Sequence, residues 1–305
     1  MISRSWKKSN DVQSLVYGLL GVVSFSLTLP ASRVAVVQLD PIFVGVGRAL
    51  VAAVFAILTL WLARSEWPSR KQWLRLYWVA AGIVLGFPLL STLAMTQVAA
   101  SHGAVVVGLL PLATALFGCW LANERPSRLF WVATLVGSVT IAVFSLGPRL
   151  DSLHPADLLL LGAVVAAGFG YAEGARLARE LGAWQTICWA LIASIPILLW
   201  PTYQYFPQNV DELTFSTLLS FGYVSMVSMF LGFFAWYKGL AMGGIARIGQ
   251  LQLLQPFLTL AASAALLSEQ ISFSQILAAT IVIASVYFAR KAAINVPQTR
   301  STGAL

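Results

Sequence analysis

LPLATALFGCWLANERPS, residues 110–127, returns 145 positions later as QPFLTLAASAALLSEQIS, residues 255–272. Leu109, Pro111, Thr114, Leu121, Glu124, Ser127 and Ala133 recur at that one offset as Leu254, Pro256, Thr259, Leu266, Glu269, Ser272 and Ala278. A fixed offset held across so many positions marks an internal duplication. Both copies lie in strongly apolar sequence, so the duplicated unit is a bundle of membrane helices, and the number of helices per copy sets how the copies are related in space.

A chain of 305 residues that is 59% hydrophobic and 10% charged has too little polar sequence to cover a water-soluble globule. Lipid is the solvent its composition suits. Apolar stretches of roughly 20 residues fall at 12–32, 41–63, 76–98, 103–122, 129–147, 156–177, 184–200, 218–240, 245–267 and 271–289. These runs are apolar all round rather than alternating, which predicts ten helices and excludes a barrel. The first run follows Arg4, Lys7 and Lys8 as a secretory leader would, but nothing after Ser32 reads as a soluble mature domain, so it is expected to stay as the first helix. Cys119 and Cys188 each fall inside a span, and two isolated thiols predict neither a structural disulfide nor a zinc site.

Placing the N-terminus in the cytoplasm gathers Arg4, Lys7, Lys8, Arg64, Arg70, Lys71, Arg75, Arg125 and Arg128 on the inner side. Arg176, Arg179, Lys238, Arg247, Arg290, Lys291 and Arg300 join them. Only Arg33 and Arg149 fall outside, and Arg48 lies within a span. This bias predicts both termini cytoplasmic and an even helix number. The net charge of +8 is then a topological signal that faces anionic lipid, with no nucleic acid implied. Five helices per copy is odd, so the second copy must thread the membrane in the opposite sense. The expectation is an all-α polytopic protein of two inverted five-helix repeats, 1–150 and 151–305. Inverted repeats supply two equivalent conformations, one open to each side, and this is the basis of alternating access in a carrier. With both copies in one chain, a monomer suffices. The aromatic-rich loop at 201–217 is expected on the outer side as an interfacial anchor.

The two long repeated runs, Arg48 early in the second helix, and the opening of the second repeat, HPADLLLLGAVVAAGFGYAEGARLARE at 154–180, resemble the EamA-like branch of the drug/metabolite transporter superfamily. The resemblance covers essentially the whole chain. It implies a carrier of the bacterial cytoplasmic membrane, most often an exporter, with a central cavity between the repeats in which the third, fourth, eighth and ninth helices are prominent. Members that look alike carry amino acids, other metabolites or drugs, so the substrate is not implied. Small multidrug relatives carry a glutamate in the first helix, whereas the first helix here reads YGLLGVVSFSLTLPAS with no acid. Proton exchange against cations by that mechanism has no group here to carry it.

Polar stripes on membrane helices point to a cavity or to a neighbouring helix, because a lipid-facing polar group is costly. In the ninth helix Gln252, Gln255, Thr259 and Ser263 share a face, and Pro256 should kink the helix and free the Gln252 carbonyl. Substrate contact and interhelical hydrogen bonding both account for that stripe. In the fourth helix Gly108, Pro111, Thr114 and Gly118 form a leaner counterpart in which Pro111 is again a kink and close packing an equal explanation. Tyr17, Gly21, Ser24 and Thr28 share a face of the first helix, the third offers Ser91, Thr92 and Gln97, and the eighth offers Trp236 and Tyr237, for which packing is the simpler role.

Arg48 is about 10 Å into its span at the helical rise, deep enough to need a partner or water. It could bind a substrate carboxylate bidentately, snorkel, or hold the bundle together; its recurrence across relatives with unlike substrates favours the structural role. Glu173 is the one acid well inside a span, behind Gly162, Ala166 and Gly170, which would open a groove on its face. An ion pair with Arg176 or Arg179 competes there with a protonatable coupling group. Glu124 and Glu269 lie at helix ends beside Ser127 and Ser272, where capping and turn formation suffice. His102 and His154 form no ligand pair, and no phosphate loop, carboxylate dyad or nucleophile with a base is present, so no enzyme activity, metal or cofactor is predicted.

The function expected is therefore secondary transport, with export of small metabolites such as amino acids by alternating access. Uptake or exchange of solutes such as drugs or phosphorylated sugars on the same fold, and a membrane scaffold or sensor without transport, are the alternatives. Phosphate exchange would call for several cavity lysines or arginines, and Arg48 is the single one available.

Overall fold

The structure, a computed structural model, describes residues 2–146 and 155–268 together with positions 273, 277, 280, 281, 284, 294 and 295. Among the described residues, eight helices are long and apolar enough to cross a membrane. They are α1 (Asp11–Ala35), α2 (Phe43–Leu62), α3 (Arg70–Met95), α4 (Ala100–Ala122), α6 (Pro155–Leu181), α7 (Ala183–Gln204), α8 (Phe215–Gly243) and α9 (Ile245–Leu267). A further apolar helix, α5 (Arg128–Leu146), takes the place of the expected fifth span. Of the expected tenth span only positions 273, 277, 280, 281 and 284 are described, and the repeat positions Glu269, Ser272 and Ala278, together with Arg149, His154, Arg290, Lys291 and Arg300, lie outside the described residues. Beyond α9, β2 (Ile294–Asn295) pairs antiparallel with β1 (Arg125–Pro126) in the α4–α5 connection, which sets this late segment at the same end of the bundle as Arg125.

The helix starts follow local chemistry more than apolarity. α3 begins at Arg70, six residues before the expected start at Leu76, because Ser69 and Gln72 close a capping box in which each side chain takes the other's backbone N–H, at 3.4 and 2.9 Å. Arg70, Lys71 and Arg75 are therefore helical rather than in a loop. The expected loop at 201–217 is shorter than its composition implied: α7 runs on to Gln204 and α8 starts at Phe215. Tyr203 and Phe215 are each 78% exposed, while Gln38 Oε1 accepts the Thr214 N–H at 2.9 Å and the Thr217 hydroxyl at 2.7 Å, tying this connection to the one between α1 and α2.

Several spans contain an irregular stretch, at the start of α2 and further in elsewhere. In α1 the α-helix from Ile2 ends at Ser26, Leu27 is a turn residue, and helix resumes over Thr28–Ala35. Pro30 is the cause, since it has no N–H for the Ser26 carbonyl four residues back. Wide π-helical stretches occupy Phe43–Gly47 in α2, Ala80–Gly86 in α3 just before Pro88, and Val224–Leu231 in α8. In α9 a tight 3₁₀ stretch, Gln250–Leu254, precedes Pro256. Such irregular turns inside helices mark functional positions more often than plain helix does.

Packing interleaves the two halves of the chain. α1 lies against α8 and α3 against α6, α2 lies against α7, and α4 against α9. Contacts of α1 with α9 are matched by those of α4 with α6, and contacts of α2 with α8 by those of α3 with α7. Exchanging each helix for the one five places on maps this pattern onto itself. α6 runs through the centre, and its small residues let neighbours approach: a methyl group added at Gly170 would sit 2.5 Å from Ile83 of α3. The groove expected over Gly162, Ala166 and Gly170 is thus filled by α3.

Charged groups fasten the end of the bundle that holds Arg75. Glu124 departs from its expected local role. Its buried carboxylate reaches across to the other half and accepts the N–H groups of Ile245 at 2.8 Å and Ala246 at 2.7 Å, capping α9, with Arg179 Nη2 3.7 Å away. Ser127 does cap locally, accepting the Phe130 N–H at 3.3 Å. Glu124→Ala should remove two charge-assisted bonds from a dry helix end, a loss of about 3 kcal/mol. Thermal unfolding of the purified variant in detergent measures it, and an unchanged midpoint would mean that Glu124 does not hold α9.

Candidate functional site

The interruptions converge. Phe25 and Thr28 flank the break in α1, Arg48 follows the π stretch of α2, and Ile83 and Phe87 come from the π stretch of α3 and its exit. Ser228 and Met229 come from the π stretch of α8, with Phe233 one turn on, and Gln255 follows the 3₁₀ stretch of α9. Together with Tyr171 of α6 these side chains enclose one cavity of about 20 Å³, room for a single water molecule. In this state the centre is occluded, and anything larger than water needs its walls to move apart.

Several polar groups in and behind the cavity wall are hydrogen-bonded. Thr28 and Ser228 share a hydrogen bond of 2.8 Å, and the Thr259 hydroxyl donates at 2.7 Å to the Ser26 carbonyl that Pro30 left open. A gap in a helix of the N-terminal half is thus closed by the C-terminal half. Tyr237 Oη donates to the Gly170 carbonyl at 3.2 Å. Aromatic rings form the apolar wall: Phe25 lies 4.9 Å from Phe233 and 6.2 Å from Tyr171, and Trp236 stacks edge-on behind Tyr171 at 5.4 Å.

Arg48, Gln255 and Trp236 hold buried polar atoms without a partner among the described residues. Arg48 is 1% exposed, and its Nε and Nη1 have no hydrogen-bond partner among the described residues; the same holds for Gln255 Oε1 and Trp236 Nε1. Among the described residues, no Asp or Glu lines the cavity. Arg48 therefore does not snorkel, and no described carboxylate neutralises it.

The residues singled out in the sequence divide into distinct groups. Arg48, Thr28 and Gln255 line the cavity. Trp236, Tyr237 and Thr259 stand directly behind that wall, fully or almost fully buried. Gln252 and Thr114 lie instead in the α4–α9 seam, where the Thr114 hydroxyl donates to Gln252 Oε1 at 3.3 Å. Ser24 is half-buried, and its hydroxyl returns to the Leu20 carbonyl at 2.8 Å. Pro111 and Pro256 each sit in the first turn of a helical segment, after a break, rather than within a bent helix. The Gln252 carbonyl expected to be free accepts the N–H of Gln255 through the 3₁₀ turn. α4, expected among the walls, contributes none of the described lining residues, whereas α1, α2 and α6 do.

Glu173 lies away from this cavity, 4% exposed, between Arg176 at 2.7 Å and Arg75 of α3, which also meets Glu180 at 2.6 Å. The expected pair with Arg176 is present, and Arg75 is an added partner 98 residues distant. Tyr171, Phe25, Phe233 and Ser228 were not singled out. Ser225 and Ser228, hydroxyls three apart in an apolar helix, were the available signal; the aromatic residues carried none, because lipid-facing and cavity-facing rings look alike in sequence. At the opposite end of the bundle a wider cleft of about 480 Å³ opens beside Arg33, Gln38 and Thr214, and His102 Nε2 meets Asp157 at 2.6 Å.

Comparison with known proteins places this arrangement. The profile of the EamA-like transporter family matches residues 13–146 and again 154–290. A Bacillus subtilis protein named uncharacterized transporter YdeK is 43% identical over 276 residues, which is 90% of this chain and 96% of the relative. A crystal structure of 17% identity superposes with a TM-score of 0.71, covering 90% of this chain and 96% of the other, a likeness of fold. With both halves matched to one family and a relative so similar over nearly its full length, the chain belongs to the EamA-like transporter family and is a multi-pass membrane transporter of that type.

Proposed function

We propose that this transporter is a secondary carrier of the bacterial cytoplasmic membrane that exports small metabolites such as amino acids by alternating access. The observation that carries the proposal is the meeting of five irregular helix stretches, from both halves of the chain, at one buried polar cavity. Broken helices at mid-membrane supply binding groups and hinges together. The self-matching packing of each helix with its counterpart five places on supports two repeats, 1–150 and 151–305. Ten spans in two such repeats make the second an inverted copy of the first.

In this scheme the Arg75 end faces the cytoplasm. Arg64, Arg70, Lys71, Arg75, Arg176, Arg179 and Arg247 gather there, which suits the positive-inside bias and puts both termini inside. The same end is closed by the Glu173 and Glu124 networks and by Arg247 on Asp11 at 2.8 Å, while the cleft beside Arg33 opens at the outer end. In this scheme the state is occluded at the centre with the inner end fastened by ion pairs, and export requires these ion pairs to part so that substrate can enter. A substrate gradient alone drives such a cycle, and a single chain carries both repeats, so a monomer is sufficient.

Counterflow of labelled amino acids into vesicles holding the purified protein tests the proposal: accumulation above protein-free vesicles is expected, and its absence across the set would remove amino acids as cargo. Gln255→Ala and Gln252→Ala should separate. The first should raise the half-saturation concentration at least several-fold with little change in melting. The second should act mainly through the lost Thr114 bond, about 1 kcal/mol, with half-saturation held. Equal effects on transport would place both glutamines in the same role.

A further inference from the structure

We propose that the central site reads its substrate by one carboxylate, held on Arg48, and that an amino group on the substrate is tolerated but not recognised. The inference rests on the carrier assignment above and names the substrate class of that same site: monocarboxylates with an apolar, preferably aromatic, body.

The argument starts from cost. A guanidinium that is 1% exposed, with Nε and Nη1 unpartnered among the described residues, is the kind of group a fold does not retain for stability, because an unpaired buried charge is heavily penalised. An anion entering the cavity removes that penalty. A carboxylate matches the planar guanidinium with two parallel N–H···O bonds, which a chloride or a neutral amide cannot do. Charge balance fixes the number, since one cation and no described carboxylate line the cavity, so one negative charge neutralises it. A dianion leaves one charge uncompensated in a low-dielectric place. A cation meets a like charge.

The rest of the wall defines the body. Phe25, Phe87 and Phe233 offer apolar surface and ring faces or edges, and Thr28 and Ser228 already satisfy each other. Among the described lining residues, Gln255 Oε1 is an unpartnered acceptor. It could take a single N–H from a zwitterion, a neutral bond worth far less than the carboxylate pair. Glu173, which could otherwise attract an ammonium, is committed to Arg75 and Arg176. Affinity should therefore follow the carboxylate.

Three probes with one ring and matched spacing test this: 3-phenylpropionate, L-phenylalanine and 2-phenylethylamine, titrated calorimetrically into the protein in lipid nanodiscs at constant ionic strength. Both carboxylates are expected to bind and the amine to bind at least tenfold more weakly. Arg48→Gln should cost both carboxylates at least tenfold and Arg48→Lys less. The melting midpoint without ligand should rise in Arg48→Gln, because an uncompensated charge is gone. A purely structural Arg48 requires the opposite sign. Amine binding equal to that of 3-phenylpropionate, or no binding of either carboxylate at millimolar concentration, overturns the proposal even if the Gln variant cannot be purified. Flux in vesicles separates the two assignments: carboxylate binding without flux removes the carrier and leaves the site, while amino-acid flux indifferent to 3-phenylpropionate competition removes the carboxylate rule and leaves the carrier.

Discussion

Glu173→Gln is expected to lower the yield of folded protein and its melting midpoint while leaving energy coupling unchanged in the molecules that survive. The carboxylate is 4% exposed and bridges Arg176 of its own helix to Arg75 of α3. Removing one charge from a buried pair strands its partners, at a cost of about 3–5 kcal/mol when all are dry. Here the arginine side chains are 24% and 35% exposed and Arg75 keeps Glu180, so solvent recovers part of the loss and about 2 kcal/mol remains. Arg75→Gln should destabilise as well, and the double variant by less than the two single losses added, since the interaction is shared. Thermal unfolding of the four proteins in detergent completes the cycle. Proton-driven accumulation in vesicles is the second readout. A Gln variant that melts like the parent but no longer responds to a pH gradient would make Glu173 a coupling group and leave the ion pairs incidental.

That Glu173 would be paired was legible; the identity of its second partner was not. Arg176 lies one helical turn away, so sequence spacing alone brings it near. Arg75 arrives through packing of α3 on α6, which depends on glycines at 82 and 170 meeting face to face. The same holds for Glu124. Its repeat at Glu269 was plain, and a helix end suggested a cap, but which helix it caps is a matter of tertiary position.

For the fold, apolar run length located the described spans closely because the bilayer imposes a minimum length whatever the packing. It failed at polar first turns: the capping box at Ser69 and Gln72 starts α3 where hydropathy is still low. The breaks were harder. Pro256 and Pro111 drew notice through the repeat, yet Pro30 and Pro88 disrupt α1 and α3 as strongly and have no repeated counterpart to advertise them. π-helical turns have no sequence signature of their own. Because the cavity is made where the breaks meet, Arg48, Thr28 and Gln255 could be picked out as costly in lipid, while Ser228 and the aromatic wall were missed. The stripe on α9 was also split in a way that helical periodicity does not foresee. A 3₁₀ stretch alters the rotation between Gln252 and Gln255, turning one to α4 and the other to the cavity.

Gly82→Ala should impair both folding and transport more than its one added methyl group suggests. Gly82 lies in the π stretch of α3, and a Cβ there would stand 2.5 Å from the Ala166 carbonyl oxygen and 3.2 Å from backbone atoms of Gly170. The obstacles are backbone of α6, which no rotamer change can relieve, so the helices must separate locally. Overpacking of this kind costs about 1–3 kcal/mol. The displacement bears directly on the cavity, because Ile83 follows Gly82 and Tyr171 follows Gly170, and both are walls of the Arg48 site. The expected result is a fall in melting midpoint together with a lower turnover in the fraction that folds, as the α3–α6 contact is where the N-terminal half bears on the central helix of the C-terminal half. Gly222→Ala is the control, since nothing lies within 4 Å of a methyl group added there, and it should match the parent in both assays. If Gly82→Ala melts lower yet transports at the parental rate, the α3–α6 contact supports the fold without shaping the site, and the cavity walls must be set from α1, α2 and α8 instead.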